Sequence, residues 1–261
     1  MRQSYTYLFL EPIFQPTFIY HSYSCQKGKG VHVAVNDVDR VLRKASKNYT
    51  HTIWSLKMDI KKFFASVDHE ILLALLYKKL GDTEIMWLLE KIVRGFHTPG
   101  TSGKGMAIGN LTSQIFANIY LNELDYFAKH HLREHYYFRY ADDFLFLHPD
   151  REHLEKICQQ ATAFVQKRLG LTVHPNKIIY RKYIQGIDWL GYVLRPHYRV
   201  MRTNTKQRMF AKVQRKAEEF NSGKCDQYSL DQTVQSYLEV LSHCEGYALG
   251  ERLKNEAWLN L

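Results

Sequence analysis

The run Tyr136-Tyr137-Phe138-Arg139-Tyr140-Ala141-Asp142-Asp143-Phe144-Leu145-Phe146-Leu147 reads as two short strands, Tyr136 to Tyr140 and Phe144 to Leu147, joined across Ala141-Asp142-Asp143. Aromatic side chains suit the pleated, half-buried surface of a strand, so two acids stand at the tip of a hairpin. An Asp-Asp pair alone carries little information. A chain of this Asp content holds about 0.55 such pairs by chance, whereas requiring Tyr and Ala immediately before the pair lowers the expectation to about 0.002.

Outward from the hairpin, Ser113 to His131 places Phe116, Tyr120, Leu124 and Phe127 on one face and predicts a long helix; Arg151 to Leu169 predicts another. Further upstream, Ile53 to Asp59 predicts a strand with Asp59 at its end. Asp68 is the expected N-cap of a helix from Glu70 to Leu80 that Gly81 stops, and Glu84 to Arg94 predicts the next helix. Val31 to Asn48 reads as a basic amphipathic helix, with Val31, Val35, Val38 and Leu42 at spacings of three and four, and the Gly-rich Pro99 to Gly109 as a loop. Strands are expected near Leu171 to Val173, Ile178 to Tyr180 and Trp189 to Leu194. From Thr205 onward the chain reads as helical, with one stripe at Met209, Val213, Ala217 and Phe220, a second at Val234, Tyr237, Leu238 and Leu241, and a linker from Gly223 to Tyr228. This order implies an antiparallel sheet backed by helices, an α+β fold.

In such a sheet Asp59 and the Asp142-Asp143 tip can converge on one edge. Three clustered carboxylates repel one another unless divalent cations neutralise them, and Mg²⁺ commonly takes one or two carboxylates completed by water and substrate phosphate. Two such ions about 3.5–4 Å apart can activate a 3′-hydroxyl and stabilise a departing pyrophosphate. The constellation points to nucleotidyl transfer, although Asp59 and Asp142 taken singly also read as a helix cap and a turn residue.

The charge balance agrees with a polyanionic partner. The 261 residues carry 36 Lys plus Arg against 26 Asp plus Glu, a net charge of +10. From Arg195 to Lys216 there are eight basic residues (Arg195, Arg199, Arg202, Lys206, Arg208, Lys212, Arg215, Lys216) and no acidic one; Lys27, Lys29, Arg40, Arg43, Lys44 and Lys47 form a second cluster. Either cluster alone also reads as a solvated face. A hydrophobic content of 45% excludes a disordered polyelectrolyte. The longest apolar run, Ile71 to Tyr77, falls far short of the roughly 20 residues of a membrane span. Tyr7 to Leu10 is broken by Glu11-Pro12 before a secretory core can form, so a cytoplasmic location is expected. Cys25, Cys158, Cys225 and Cys244 include no Cys-x-x-Cys pair and read as reduced thiols. His131 and His135, at helical i, i+4 spacing, read as a solvated helix face rather than a metal site.

Tyr140-Ala141-Asp142-Asp143 followed by Phe144-Leu145-Phe146 resembles the catalytic hairpin of reverse transcriptases, and Lys57-Met58-Asp59-Ile60 with Phe63-Phe64 and Ser66-Val67-Asp68-His69 resembles their first catalytic motif. Gly109 with Ser113-Gln114 and Ala117-Asn118 resembles the template and nucleotide motif, His174-Pro175 with Lys177 the following one, and Trp189-Leu190-Gly191-Tyr192 the primer-grip hairpin. Ser22-Tyr23, Cys25, Lys27-Gly28-Lys29-Gly30 and His32, together with Ile108-Gly109 and Ser113-Gln114, are similar to the diversity-generating retroelement branch. Group II intron relatives usually have Gln-Gly and Ser-Pro where this chain has Ile108-Gly109 and Ser113-Gln114.

The resemblance implies a right-hand polymerase with partial fingers over residues 1–50, palm over 51–81, a fingers–palm connection over 82–108, palm with catalytic hairpin and primer grip over 109–200, and a short helical thumb over 201–261. It implies two Mg²⁺ ions, replaceable by Mn²⁺, bridged by Asp59 and Asp142, with the carbonyl of Ile60 and Asp143 in support. Lys177 would assist proton transfer to the leaving pyrophosphate. Lys27, Lys29, Phe64, Ile108, Gly109 and Gln114 would surround the incoming nucleotide, with Phe64 excluding a ribose 2′-hydroxyl, and Gln26 stands where the family commonly has Arg. Tyr140, Trp189, Gly191, Arg208, Lys212 and Arg215 would follow primer and template. Without the resemblance, Phe64 reads as a core residue, Lys177 as a surface lysine and Trp189 as a packing residue. Relatives usually carry a further fingers segment ahead of Glu11-Pro12-Ile13-Phe14, so a fragment or truncated product is expected. The implied activity is RNA-directed DNA synthesis from deoxynucleoside triphosphates, with template RNA, RNA/DNA hybrid and a basic accessory protein as partners and error-prone copying of a template repeat as outcome. The alternatives are a group II intron-like reverse transcriptase for retrohoming and a catalytically weak RNA-binding subunit.

Overall fold

The structure is a computed structural model that describes residues 2–81 and 84–259. The chain divides into two compact units, Met1–Ser46 with Ile53–Arg181, and Lys47–Thr52 with Lys182–Leu261.

In the first unit the elements run α1 (Arg2–Phe14), α2 (Val31–Ala45), β1 (Trp54–Asp59), the single turn α3 (Phe63–Ser66), α4 (His69–Leu80), α5 (Glu84–Arg94), α6 (Leu111–Tyr126), β2 (Tyr137–Tyr140), β3 (Asp143–His148), α7 (Arg151–Leu169) and β4 (Ile179–Lys182). The sheet order is β2-β3-β1-β4, and β3 pairs antiparallel with both of its neighbours. Lying between β1 and β2, β3 buries Phe144, Leu145, Phe146 and Leu147 on both faces. That explains its unbroken apolar run. Side chains alternate along a strand, so Leu56, Met58, Tyr137, Phe144 and Phe146 share the face that joins one core with residues of α4, α6 and α7. Each large apolar side chain withdrawn from water there contributes about 1.5–3 kcal/mol. The α+β expectation holds for this unit.

The cap and stop signals of α4 agree with the structure. Asp68 accepts from the amides of Glu70 (3.0 Å) and Ile71 (3.3 Å), and α4 ends at Gly81 with φ +71°. Several expectations are corrected. Helix α1, for which the sequence offers no clear periodicity, carries Pro12 within its last turn. Helix α6 starts before Ser113, because Asn110 Oδ1 caps it by accepting from Thr112 N (2.9 Å) and Ser113 N (3.2 Å). After Tyr126 it widens into one π turn, Phe127–His131, and stops there. Lys129 Nζ closes that end by donating to the carbonyls of Glu134 and His135, so His131 and His135 share no helical face. Leu171 to Val173 is not a strand; it makes a single bridge, Val173 to Ile60.

In the second unit, β5 (Ile187–Trp189), β6 (Tyr192–Arg195) and β7 (Tyr198–Met201) form an antiparallel meander, followed by α8 (Thr203–Asn221), α9 (Gln227–Ser242) and α10 (Tyr247–Leu259). The strand expected from Trp189 to Leu194 is therefore a hairpin. Its two-residue loop, Leu190-Gly191, has φ +49° and +94°, the positive pair that matches the twist of adjoining strands. Met209, Val213 and Ala217 of α8 pack with Leu230, Val234 and Leu241 of α9 and with Leu253 and Ala257 of α10. The strands β5 to β7 group with these helices, so the compact break falls near residue 182 rather than 201. No described helix is long and apolar enough to cross a membrane.

Candidate active site

The end of β1 lies against the start of β3, with Asp59 directly opposite Asp143, while Tyr140 of β2 faces Asp143 from the other side. The hairpin tip is thus Ala141-Asp142 alone, and Asp143 already belongs to β3. Ala141 takes φ +50° to make that turn, and the amide of Ile60 donates to the carbonyl of Asp142 (3.3 Å). These contacts bring Asp59, Ile60, Asp142 and Asp143 to one end of the sheet; the strand pattern predicts this for the three carboxylates, and the resemblance adds Ile60.

Lys177 joins them through the segment after α7. The amide of His174 donates to the carbonyl of Asp59 (2.8 Å), Lys61 N donates to Thr172 O (2.8 Å), and the turn begun by Pro175 carries Lys177 back so that Nζ donates to Asp59 Oδ2 at 2.8 Å. Lys57 Nζ stands 3.6 Å from Asp143 Oδ1. Burial raises the carboxyl of Asp142 above the usual carboxylate range, and the charges of Asp59 and Asp143 add to the rise. Burial also raises Asp143, against the opposing pull of Lys57, and the hydrogen bond to Asp59 raises Lys177.

Among the described residues no three His, Cys, Asp or Glu side chains are gathered tightly enough to hold an ion as they stand. Two of the three carboxylates instead face ammonium groups. The donor chemistry nevertheless fits Mg²⁺, which prefers hard anionic oxygens; burial is the main cause of the raised Asp142 carboxyl, and the charges of Asp59 and Asp143, which a cation would relieve, add to it.

The loop after α5 supports this edge from the side of α3. Gly105 N donates to Val67 O (2.8 Å), Met106 N to Phe64 O (2.7 Å) and Thr98 Oγ1 to Ala65 O (3.0 Å). Gly105 has φ +114°, and a Cβ there would lie 2.4 Å from Thr98 Oγ1, so only glycine fits. Within the one-turn α3, Phe63 is the core residue at 2% exposure, whereas Phe64 is half-buried with its ring edge-on to Phe63. Ile108 is 82% exposed, Gly109 has φ +87°, and Gln114 lies half-buried in the first turn of α6.

The N-terminal basic loop departs from expectation. Lys27 is exposed, but Lys29 Nζ donates to the carbonyls of Tyr20 (2.7 Å) and Ser22 (2.9 Å) and lies over the Tyr20 ring, with its pKa lowered by burial. Its ammonium is engaged by the protein, whereas that of Lys27 is not drawn into the fold in this way. Gln26 is buried and donates to Ser22 O and Oγ. Tyr140 is half-buried.

In the second unit, Trp189 is 0% exposed and therefore a packing residue, not a primer contact. Tyr192 donates to the carbonyl of Val240 (2.9 Å), and Gly191 occupies the hairpin loop. Arg208, Lys212 and Arg215 are exposed along α8, away from its core stripe at Met209, Val213 and Ala217.

One constellation escaped the sequence reading. Arg139, the residue before Tyr140, is 0% exposed and forms a two-pronged ion pair with the equally buried Asp125 of α6, at 2.7 Å on each prong. The available signals were an arginine inside an aromatic strand and an acid seven residues after Asn118 on the face of α6 that also holds Leu121.

A profile of the family described as "Reverse transcriptase (RNA-dependent DNA polymerase)" matches residues 2–194. The chain belongs to the reverse transcriptase family. This reverse transcriptase chain is 32% identical over 124 residues to the uncharacterized 91 kDa protein in the cob intron of Schizosaccharomyces pombe, covering 46% of the chain and 14% of the relative. It is 28% identical over 125 residues to the group II intron-encoded protein LtrA of Lactococcus lactis subsp. cremoris, covering 46% and 20%. Its fold is similar to that of apo telomerase from Candida tropicalis, with a TM-score of 0.61 at 11% identity over 97% of this chain and 51% of the other. The reverse transcriptase chain thus has the α+β fold of a right-hand polymerase and spans one fifth or less of the length of either intron relative.

Proposed function

We propose that the chain is an RNA-directed DNA polymerase that extends a primer on an RNA template from deoxynucleoside triphosphates. The observation that carries this is the register setting Asp59 opposite Asp143, with Asp142 at the adjoining turn. Asp59, Asp142 and the carbonyl of Ile60 would hold two Mg²⁺, or Mn²⁺ in their place, supported by Asp143. Bound there, the ions would supply Lewis-acid activation of the 3′-hydroxyl and neutralisation of phosphate charge. Lys177, kept protonated, donates its proton to the leaving pyrophosphate once it releases Asp59. Lys27 meets the triphosphate by charge-assisted contact, and Gly109 and Gln114 border the nucleotide. Tyr140 borders the primer end. The exposed cations of α8 follow the template–primer hybrid through phosphates and 2′-hydroxyls, so little base-specific reading is expected.

Primer extension by the purified protein on an RNA template, with Mg²⁺ or Mn²⁺, tests the reading. Retained RNA binding without any extension would establish the RNA-binding subunit instead.

Phe64 tests the nucleotide pocket. Phe64 lies five residues after Asp59 and is only half-buried, so Phe64→Ala should raise ribonucleotide incorporation relative to deoxynucleotide. It should also cost less stability than Phe63→Ala, for which a core truncation of about 3–5 kcal/mol applies. Unchanged discrimination in a folded Phe64→Ala protein removes the assignment.

Two finer readings follow from different observations. The intron-encoded relatives support retrohoming by a group II intron-like enzyme. Ile108 and Gln114 support the second, error-prone copying of a template repeat with a basic accessory protein in a diversity-generating retroelement. An exposed apolar Ile108 supplies no hydrogen bond where a Gln would. Losing about 1.4 kcal/mol in the correct transition state alone reduces discrimination tenfold. Ile108→Gln should therefore reduce misincorporation opposite template adenine more than opposite the other bases, read by sequencing the DNA product of one defined RNA. An unchanged error spectrum at normal activity would leave the intron-like reading.

A further inference from the structure

Arg139 reaches the catalytic turn from beneath. Alternation places its side chain on the helix-backed face of the sheet, with Tyr137, Phe144 and Phe146, while Asp59 and Asp143 share the other face. All five N–H groups of its guanidinium are used. Nε and Nη2 donate to the two oxygens of Asp125, and Nη2 also donates to Ser22 Oγ (2.9 Å). Nη1 donates to Asn118 Oδ1 (3.2 Å) and to the carbonyl of Ala141 (3.2 Å).

The partners of Arg139 continue outward. Asp125 accepts from the Tyr137 hydroxyl (2.8 Å), Asn118 Nδ2 donates to Ser24 O (2.9 Å), and Gln26 donates to the same Ser22 hydroxyl. The backbone repeats the link: Arg139 N donates to His21 O (2.9 Å), and Tyr23 N donates to Arg139 O (3.1 Å). One guanidinium thus ties together the loop leading to Lys27, the helix that begins beside Gln114, and the residue with φ +50° that precedes Asp142.

A buried ion pair is weak evidence for stability, because desolvation offsets much of the attraction and an apolar pair of similar volume often serves as well. What an apolar pair cannot supply is a fixed, five-donor fork aimed at three separate backbone segments. We propose that Arg139 is a positioning residue that holds the nucleotide loop over residues 22–27, helix α6 and the Asp142 turn in one register, coupling nucleotide binding to placement of the catalytic carboxylate. This rests on the polymerase reading above.

Arg139→Lys keeps the charge beside Asp125 and removes the fork. Equilibrium binding of a deoxynucleoside triphosphate to the protein on a template with a dideoxy-terminated primer should weaken about tenfold. On an extendable primer kcat should fall about 10–100-fold, as expected for a misplacement of about an ångström. RNA affinity should stay close to that of the unsubstituted protein, while the melting temperature falls, because a lysine ammonium leaves some of the buried acceptors on Ser22, Asn118 and Ala141 without a donor. The double substitution Arg139→Met with Asp125→Leu removes both charges and should show the same two losses while remaining folded. Wild-type nucleotide binding and kcat in either folded variant would overturn the inference and leave the polymerase reading intact. Loss of folding in both variants would make Arg139 a residue of stability and also overturn it. Absence of extension by the unsubstituted protein would instead remove the polymerase reading and this inference with it.

Discussion

Asp142→Asn is expected to abolish primer extension, with kcat lowered by at least about 10³-fold, roughly 4 kcal/mol of transition-state stabilisation. RNA affinity should stay within about a factor of two, because the substitution leaves untouched the exposed cations of α8 proposed to follow the hybrid. The fold should tolerate the change well. Burial already holds the Asp142 carboxyl above its usual range, so its charged form is disfavoured in the folded chain at neutral pH, and a neutral amide of the same shape removes that disadvantage. Single-turnover extension with a parallel RNA-binding titration decides the matter. Extension at the unsubstituted rate would sink the assignment of Asp142 as the residue on which catalysis depends.

Lys177→Met is expected to lower the maximal extension rate about 10²-fold, the lower end of what a positioned proton donor contributes. Stability should change by less than about 1 kcal/mol, since the Lys177 side chain is 53% exposed and its pair with Asp59 is screened by solvent. Lys177→Arg should recover only part of the rate, because a guanidinium does not give up its proton. A metal titration separates two roles. If Lys177 serves only as a counter-charge to Asp59, saturating Mg²⁺ restores the full rate and only the half-saturating concentration moves. If it donates a proton, the deficit persists at every Mg²⁺ concentration.

Much of the candidate site was legible because its signals are local. A strand ending in Asp59 and a hairpin carrying two acids follow from period-two patterning, and the antiparallel pairing of two such strands sets the acids opposite each other. Asp68 announced its helix by cap chemistry, and Glu84–Arg94 by periodicity. What escaped was long-range. Lys29 reads as a phosphate ligand in a Lys-Gly-Lys-Gly loop, yet its ammonium folds back nine residues onto Tyr20, a contact with no sequence period. Arg139 and Asp125 each look like surface charges that strayed onto apolar faces; only the meeting of β2 and α6 makes them one buried pair. Asn110 was hidden for a simpler reason, since the Gly-rich loop before it drew the helix start toward Ser113.

The separation of faces along β1 carries a consequence for chain length. Ser55, Lys57 and Asp59 alternate with Leu56 and Met58, so the polar and core series are interleaved one residue apart. Inserting or deleting a single residue within β1 or β3 would rotate Asp59 or Asp143 into the apolar interior and bring a methionine or phenylalanine out to replace it. Length differences between this chain and working homologues should therefore accumulate in connections such as residues 95–104, where the backbone can lengthen without shifting the phase of either strand.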